Sequence, residues 1–176
     1  MTSLNVTGNS KLGILYCRNN PLEELDVSGI SSLFMLNCDY CQLNTLDVTT
    51  NTDLVTLSCA GNLLTNLDIT QNTAIVSLTC NNNQISSLDI SNNISLVDLN
   101  CSNNKLTNLD VSHNPVLEGL SCENNQLTSL DISNIFALEY LFCNGNQLTT
   151  LNFSKNNPLL VLQCNENQLE SLKRRT

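Results

Sequence analysis

Two cysteines in the stretch CDYC, Cys38 and Cys41, are the first residues whose spacing could do chemistry. A pair with this spacing occurs in thioredoxin-like redox sites and as one half of a zinc site. The chain holds nine cysteines in all, at positions 17, 38, 41, 59, 80, 101, 122, 143 and 164. Without Cys41, every interval between successive cysteines is 21 residues. This regularity indicates a repeated structural unit and favours a structural role for the cysteines over a redox or metal site.

Carboxylates recur at the same interval and form a second candidate for chemistry. The six aspartates of this column are Asp26, Asp47, Asp68, Asp89, Asp110 and Asp131. A line of carboxylates could bind calcium, and Asp68, Asp89 and Asp110 in its middle are the candidate ligands. However, the glycine-rich turns of calcium-binding β-rolls are absent from the sequence. The alternative is that each aspartate bonds to nearby hydroxyls or turn amides.

If the aspartates stand about 4.8 Å apart on neighbouring strands, their mutual repulsion is expected to raise the pKa of the middle carboxyls in the folded state. On this hypothesis, stability rises as the pH falls from 7 toward 5. The substitution Asp89→Asn is then expected to stabilise the protein at low salt.

Several classes of function are disfavoured by the composition. His113 is the single histidine and lies in a turn-like SHNP stretch, where we expect it to be exposed. No nucleophile elbow or glycine-rich phosphate loop accompanies it, so we predict neither an enzyme nor a cofactor. The net charge of −9 argues against nucleic acid and anionic membrane surfaces as partners. The first residues, MTSLNVTGNSKLG, lack the features of a signal peptide, and no apolar run is long enough to insert into a membrane.

The element behind these columns is a 21-residue repeat, L-x-x-L-x-C-x-x-N-x-L-x-x-L-D-[VI]-[ST]-x-N-x-x. A half repeat over residues 1–11 precedes eight copies, which begin at residues 12, 33, 54, 75, 96, 117, 138 and 159. The predicted solenoid domain covers residues 1–172, and residues 173–176 form a basic tail. Self-similarity at a period of about 20–50 residues is typical of solenoids.

Each repeat divides into two similar halves, LxxLxCxxNx and LxxLD[VI]SxNxx. The alternation of apolar and polar residues in each half predicts a short strand, and the asparagine that follows predicts a turn. We therefore predict an all-β or mostly β solenoid of about eight turns, with two short parallel strands per turn and little or no α-helix. The turns would stack about 4.8 Å apart around a thin core, giving a rod of roughly 40 Å.

Two asparagine columns accompany the predicted turns. The first is interrupted by Cys41, which we therefore place in a turn and expect to be the most reactive thiol. The second is interrupted by Ile30 and Ile135, where we expect the backbone to deviate locally. All cysteines are expected to be free, because neighbouring positions of a column have parallel Cβ vectors, which is poor disulfide geometry. The second column comprises Asn9, Asn51, Asn72, Asn93, Asn114 and Asn156.

The segment LxxLxCxxNxL resembles the strand and turn of the leucine-rich repeat family, with cysteine in place of the third leucine. The 21-residue length, the nested halves and the LDVSxN tail resemble a short bacterial subclass with irregular nested repeats. This resemblance covers essentially the whole chain. It implies that the asparagines bond to turn backbone, that the exposed face of the first strand binds proteins, and that the chain lies on a surface or secreted bacterial protein.

The exposed face of the first strand is apolar and aromatic at its two ends. Exposed aromatic residues are enriched at binding hot spots. The candidate ligand-binding residues are Tyr16, Phe34, Met35 and Tyr40 near one end, and Tyr140 and Phe142 near the other. With the resemblance, they predict a non-catalytic module that binds a protein, or alternatively a glycan, as part of a larger bacterial protein.

Three other hypotheses remain open from the sequence. The array could be a structural spacer without a specific ligand. It could also bind ice, since a column of hydroxyls precedes the aspartates: Thr65, Ser86, Thr107, Thr128 and Thr149. Finally, neither end shows a recognisable cap, so a homodimer or an end-to-end association through the ends is expected.

Overall fold

The computed structural model describes residues 3–154 and 158–175. Within these ranges the chain forms short strands joined by turns. They are β1 (Ser3–Asn5), β2 (Ile14–Tyr16), β3 (Glu24–Asp26), β4 (Met35–Asn37), β5 (Thr56–Ser58), β6 (Ser77–Thr79), β7 (Asp98–Asn100), β8 (Gly119–Ser121), β9 (Ser129–Asp131), β10 (Tyr140–Phe142), β11 (Thr150–Ser154), β12 (Val161–Gln163) and β13 (Ser171–Arg175). The described residues include no helix long and apolar enough to cross a membrane.

One parallel sheet of eight strands runs along the whole solenoid, in the order β2-β4-β5-β6-β7-β8-β10-β12. Neighbouring strands pair in a register of 21 residues, so that Leu36 pairs with Leu57 and Leu78 with Leu99. The central leucine of each strand points into the core, and its two neighbours point outward, because side chains alternate between the faces of a strand. The repeat period therefore sets both the pairing and the composition of the outer face, which we call the first-strand face.

The second side of the solenoid is paired only near its ends, where β1 pairs with β3 and β11 pairs with β9 and β13. In the four turns between, the leucines Leu46, Leu67, Leu88 and Leu109 are buried as predicted, but the segments around them form no strands. The parallel solenoid predicted from the sequence is thus confirmed, with the second strand of each turn restricted to the ends. Burial of leucine therefore holds the middle turns of this side to the core without pairing between strands.

The core consists of stacked columns of leucine, valine, isoleucine and cysteine. Most of these side chains are less than 2% exposed, including Leu33, Leu54 and Leu64. Each fully buried leucine contributes about 1.5–3 kcal/mol through removal of apolar surface from water. Since the core has the width of one turn, every turn depends on its two neighbours for burial. At the C-terminal end, β13 includes residues 173–175 of the segment predicted to be a basic tail.

The adjacent residues Leu63 and Leu64 offer a matched test of this core. Leu64 is 0% exposed, whereas Leu63 is 45% exposed. We expect Leu64→Ala to lower the free energy of unfolding by about 2–5 kcal/mol, because it leaves a cavity in a one-turn-thick core. We expect Leu63→Ala to change it by less than about 0.5 kcal/mol. Denaturant unfolding monitored by circular dichroism measures both, and equal effects would contradict the assignment of the core.

Candidate binding face

The first-strand face is held by an asparagine ladder that follows each strand. Asn62 Oδ1 accepts hydrogen bonds from the backbone N–H groups of Cys41 and Leu43 in the preceding turn, both at 3.0 Å. Asn62 Nδ2 donates to the carbonyls of Cys38 and Cys59, at 3.0 and 2.9 Å. One buried amide therefore joins two successive turns and satisfies backbone groups that no strand pairs.

The same arrangement repeats at the other asparagines of the column. Each donates to the carbonyl of the cysteine in its own turn and of the cysteine in the preceding turn. Each also accepts a hydrogen bond from a backbone N–H of the preceding turn. These residues are Asn83, Asn104, Asn125, Asn146 and Asn167.

Cys41 occupies the asparagine position of its turn and lies in the core, not at the surface. Its side chain is 0% exposed, so the expectation that it is the most reactive thiol is wrong. Its Sγ donates to the carbonyl of Cys17 at 3.2 Å and thereby replaces the amide donor of the column. A thiol cannot also supply the amide's strong acceptor, so Leu22 N–H donates instead to the backbone carbonyl of Cys41.

The backbone around Cys41 shows the effect of this replacement. In most other turns the positive φ angle falls on the residue before the asparagine, as at Asn82 and Asn103. Beside Cys41, Glu23 and Gln42 also have positive φ angles, of 59° and 62°. A residue with a Cβ is disfavoured in this region. The asparagine side chain therefore influences the backbone conformation of the turn in which it lies.

The cysteine ladder is confirmed as a structural column of free thiols. Burial raises the pKa of the Cys101 and Cys122 thiols well above the usual range and that of Cys80 to about 12. Cys38 donates to the Ser58 carbonyl and Cys41 to the Cys17 carbonyl, so CDYC is the meeting of two columns. No group of three or more potential metal ligands is arranged to hold a metal ion in the described parts of the chain.

The second asparagine column joins turns on the opposite side of the core. Asn72 Nδ2 donates to the carbonyls of Val48 and Asn51 in the preceding turn, at 2.9 and 2.8 Å. Asn51, Asn93 and Asn114 repeat this pattern, whereas Asn156 lies outside the described residues.

The interruptions of this second column do not distort the backbone. Ile30 and Ile135 keep the turn hydrogen bond to the residue three positions earlier, as Asn51 and Asn72 do. Both isoleucines are buried. The expected local deviation is therefore absent, because the turn closes through its own backbone and the isoleucine fills the space with apolar contacts.

The aspartate column points outward, and each carboxylate bonds within its own turn. Asp47 Oδ1 accepts from Thr49 N and Thr49 Oγ1, at 2.9 and 2.7 Å. Hydrogen bonds of the same kind, from Thr70, Ser91 and Ser112, hold the pKa of Asp68, Asp89 and Asp110 below the usual range. Repulsion from neighbouring aspartates is a smaller influence on these pKa values, so the hypothesis that repulsion raises them is wrong.

The N-terminal candidate residues lie on or beside the first-strand face but make separate contacts. Tyr16 is 63% exposed, and its hydroxyl donates to Met35 Sδ at 2.6 Å. Phe34 lies against Gly13, and Tyr40 lies against Gly61 in the adjoining turn. A Cβ at either glycine would stand 2.5 Å or less from the ring. The rings are thus seated on bare backbone of neighbouring turns, and Phe34 and Tyr40 remain 42% and 55% exposed.

The C-terminal candidates Tyr140 and Phe142 line one cleft of ≈ 270 Å³ on the first-strand face. Asp98, Asn100, Gly119 and Ser121 are among the other residues of this cleft. Tyr140 pairs in register with Gly119, and Gly119 pairs with Asp98. The candidate residues chosen from the sequence include the two aromatic rings but not Asp98 or Gly119. Asp98, Gly119 and Tyr140 are spaced by 21 residues, and this spacing, which places them in one column, could have revealed the cleft.

The thiols provide a test of the ladder in the native protein. Cys164 is the one partly exposed cysteine in the described residues, and the others are buried. We expect a thiol reagent to modify one cysteine rapidly and the rest slowly, because burial both blocks access and suppresses the reactive thiolate. The variant Cys164→Ser should abolish the fast phase, and denaturation should release nine reactive thiols. A fast phase that persists in Cys164→Ser but disappears in Cys41→Ser would contradict the buried position of Cys41.

The aspartate column provides a test based on pH. Because the folded-state pKa values are lowered, the carboxylates add stability above their unfolded pKa of about 3.9 and lose it as the pH falls through the folded values. We therefore expect stability to stay level from pH 7 to 5 and to fall below about pH 4.

Asp89→Ala should lower the melting temperature at pH 7, and the difference from the parent should shrink at low pH. Asp53→Ala, at an exposed turn position, is the control and should have little effect. Scanning calorimetry across pH measures both variants. A higher melting temperature for Asp89→Ala at pH 7 would restore the repulsion hypothesis.

Comparison with known proteins identifies the solenoid. No protein-family model matches the sequence, and no curated protein matches it. Among solved structures, the functional domain of InlJ from Listeria monocytogenes, which includes a cysteine ladder, is 32% identical with a TM-score of 0.66. The match covers 98% of this chain and 46% of that one.

Two further structures share the fold. The leucine-rich repeat protein LIC12759 from Leptospira interrogans is 24% identical with a TM-score of 0.79, over 92% of this chain and 45% of that one. A plant ice-binding protein is 20% identical with a TM-score of 0.70, over 94% of this chain and 63% of that one. The chain spans about half the length of the InlJ and Leptospira proteins. With its 21-residue period and its buried columns, the chain belongs to the leucine-rich repeat proteins and carries a cysteine ladder of its own.

Proposed function

We propose that the chain is a non-catalytic module that binds a protein partner through its first-strand face. The observation that carries this proposal is the exposure of aromatic side chains on a rigid sheet. Tyr16, Phe34 and Tyr140 are each more than 40% exposed, although the core beneath them is complete. Large aromatic side chains held by a fixed backbone bind with little loss of conformational freedom, which is why they are common hot spots.

The shape of the face favours a protein over a glycan. Eight parallel strands present a continuous surface with apolar residues at both ends, whereas a glycan would require a compact set of polar groups beside an aromatic ring. Catalysis has little support among the described residues. The buried cysteines have raised pKa values, and His113 is exposed and contacts Ser112 in its own turn. Neither arrangement supplies an activated nucleophile.

The place of the module in the cell is part of the same proposal. Bacterial leucine-rich repeat proteins are among the structures with this fold, and the matched InlJ domain is about twice as long as this chain. We infer a role within a larger bacterial surface or secreted protein. A homodimer or an end-to-end contact through the edge strands β2 and β12 remains a second mode of association for the same chain.

The two alternative functions have less support. A spacer would not need several exposed aromatic rings on one face. An ice-binding surface needs a flat, regular array, but the hydroxyl column at Ser86 and Thr107 lies on the side where the middle turns form no strands. The likeness to a plant ice-binding protein, at 20% identity, is one of fold alone.

Binding through the face is tested by a double variant and a control variant that both replace aromatic rings by alanine. Tyr140→Ala combined with Phe142→Ala removes two rings from the first-strand face. Phe136→Ala removes a ring that is 61% exposed but lies in a turn off the face. We expect the immobilised parent to capture proteins from cell extracts, Phe136→Ala to capture them equally well, and the double variant to capture at least tenfold less.

Circular dichroism establishes that both variants remain folded. Equal capture by the parent, the control and the double variant would contradict the proposal. Absence of any specific capture would favour the spacer.

A further inference from the structure

We propose that the cleft over Gly119 receives the guanidinium group of an arginine carried by the partner protein. This inference rests on the proposed function and names the chemistry of its partner. The cleft differs from the rest of the first-strand face in having a bare glycine floor, a carboxylate on one side and an aromatic ring on the other.

The register of three consecutive strands creates the cleft. Asp98 on β7, Gly119 on β8 and Tyr140 on β10 pair in sequence across the sheet. Parallel strands lie about 4.8 Å apart, so the backbones that carry the carboxylate and the ring stand about 10 Å apart. A planar cation can therefore lie above Gly119, with the Asp98 carboxylate on one side and the Tyr140 ring on the other.

The close approach of a neighbouring side chain, and not the backbone conformation, accounts for the glycine at position 119. Gly119 is not among the glycines with a positive φ angle, and the corresponding positions of β5 and β6, farther along the sheet, hold Thr56 and Ser77. A Cβ at position 119 would stand 2.6 Å from Asp98 Oδ1. The carboxylate thus leans over the glycine, and any side chain there would displace it and fill the cleft.

The charge around the cleft is complementary to a cation. The described part of the chain offers no hydrogen-bond or ion-pair partner to the Asp98 carboxylate, which is exposed. Glu118 and Glu139 lie next to the cleft in adjoining turns and are joined by a backbone hydrogen bond. No strand of the eight-stranded sheet carries a lysine or arginine. A positive ligand in the cleft therefore meets the Asp98 carboxylate, has two further acidic residues nearby and has no competing cation on the strands of the same sheet.

Arginine suits this arrangement better than other cationic side chains. Its guanidinium is planar, so it can stack on the Tyr140 ring while its N–H groups bond to the Asp98 carboxylate. Asn100 and Ser121 add polar groups along the floor, and Phe142 closes one side with a second ring. The compact, strongly hydrated ammonium of lysine would fill less of the space between carboxylate and ring.

A titration followed by NMR tests the inference with a matched pair of ligands. N-acetyl-arginine methylamide should cause saturable shifts of the Gly119 amide and the Tyr140 and Phe142 ring resonances. The corresponding citrulline compound has nearly the same shape without the charge. We expect it to bind at least about tenfold more weakly, equivalent to ~1.4 kcal/mol.

Two glycine variants provide the control within the protein. Gly119→Thr introduces the residue that β5 has at this position, and it should remain folded but lose the arginine-dependent shifts. Gly29→Thr adds the same side chain at an exposed turn where a Cβ has no atom within 4 Å, and it should bind as the parent does.

Equal binding of arginine and citrulline, or unchanged binding in Gly119→Thr, would overturn the inference, as would the absence of saturable shifts. A protein partner whose binding is lost in the double variant Tyr140→Ala, Phe142→Ala would remain established after any of these results. Failure of the arginine proposal is therefore distinguishable from failure of the proposed function.

Discussion

The buried amide of the first asparagine column is the interaction on which the solenoid depends. Because the strands are short, the backbone N–H and C=O groups of the turn after each strand have no strand partner. A buried N–H or C=O group without a hydrogen bond costs about 1–3 kcal/mol. Asn62 satisfies groups of two turns at once, with Oδ1 toward the turn before it and Nδ2 toward both. No other side chain of this size offers two donors and an acceptor in one plane.

The interior columns leave the outer positions free to vary. Because leucine, cysteine and asparagine fix the backbone of every turn, residues on the first-strand face can change without altering the path of the chain. The face can therefore hold Tyr16 at one end, small polar residues in the middle and Tyr140 at the other. Specificity in such a molecule arises from which side chains stand beside one another in adjoining turns, as Asp98, Gly119 and Tyr140 do.

Much of the fold could be predicted from the sequence because each column of the repeat corresponds to one position on the turn. The strands of the first face, the buried leucines and the free cysteine ladder followed from the period, and the bonding of the asparagine ladder was implied by the family resemblance. The second strand of the middle turns was predicted but is absent, because leucine burial there does not require strand pairing. The aspartate pKa values did not. They depend on whether a hydrogen bond of 2.7–2.9 Å, as between Asp47 and Thr49, outweighs charges on the next turn.

The remaining differences concern single residues that break a column. The position of Cys41 could not be predicted by analogy with the asparagines. Its thiol makes only some of the hydrogen bonds that the amide makes, and the backbone adjusts around it. Ile30 and Ile135 behave oppositely, because the backbone N–H of each isoleucine closes its turn and needs no side chain at that position. The cleft over Gly119 required knowledge of how three strands lie side by side, which no single repeat contains.

The asparagine ladder also gives the array a direction. Within the described residues, Asn20, in the first complete turn, donates to Cys17 and Arg18 of its own turn. At the other end, Asn167 supplies the acceptor for Leu148 N–H in the turn before it. Shortening the array from the N-terminal side would leave an amide side chain that can rotate toward water. Shortening it from the C-terminal side would leave a fixed backbone N–H with no acceptor. Changing the number of turns therefore disturbs a side-chain amide at one end of the array and a backbone N–H at the other.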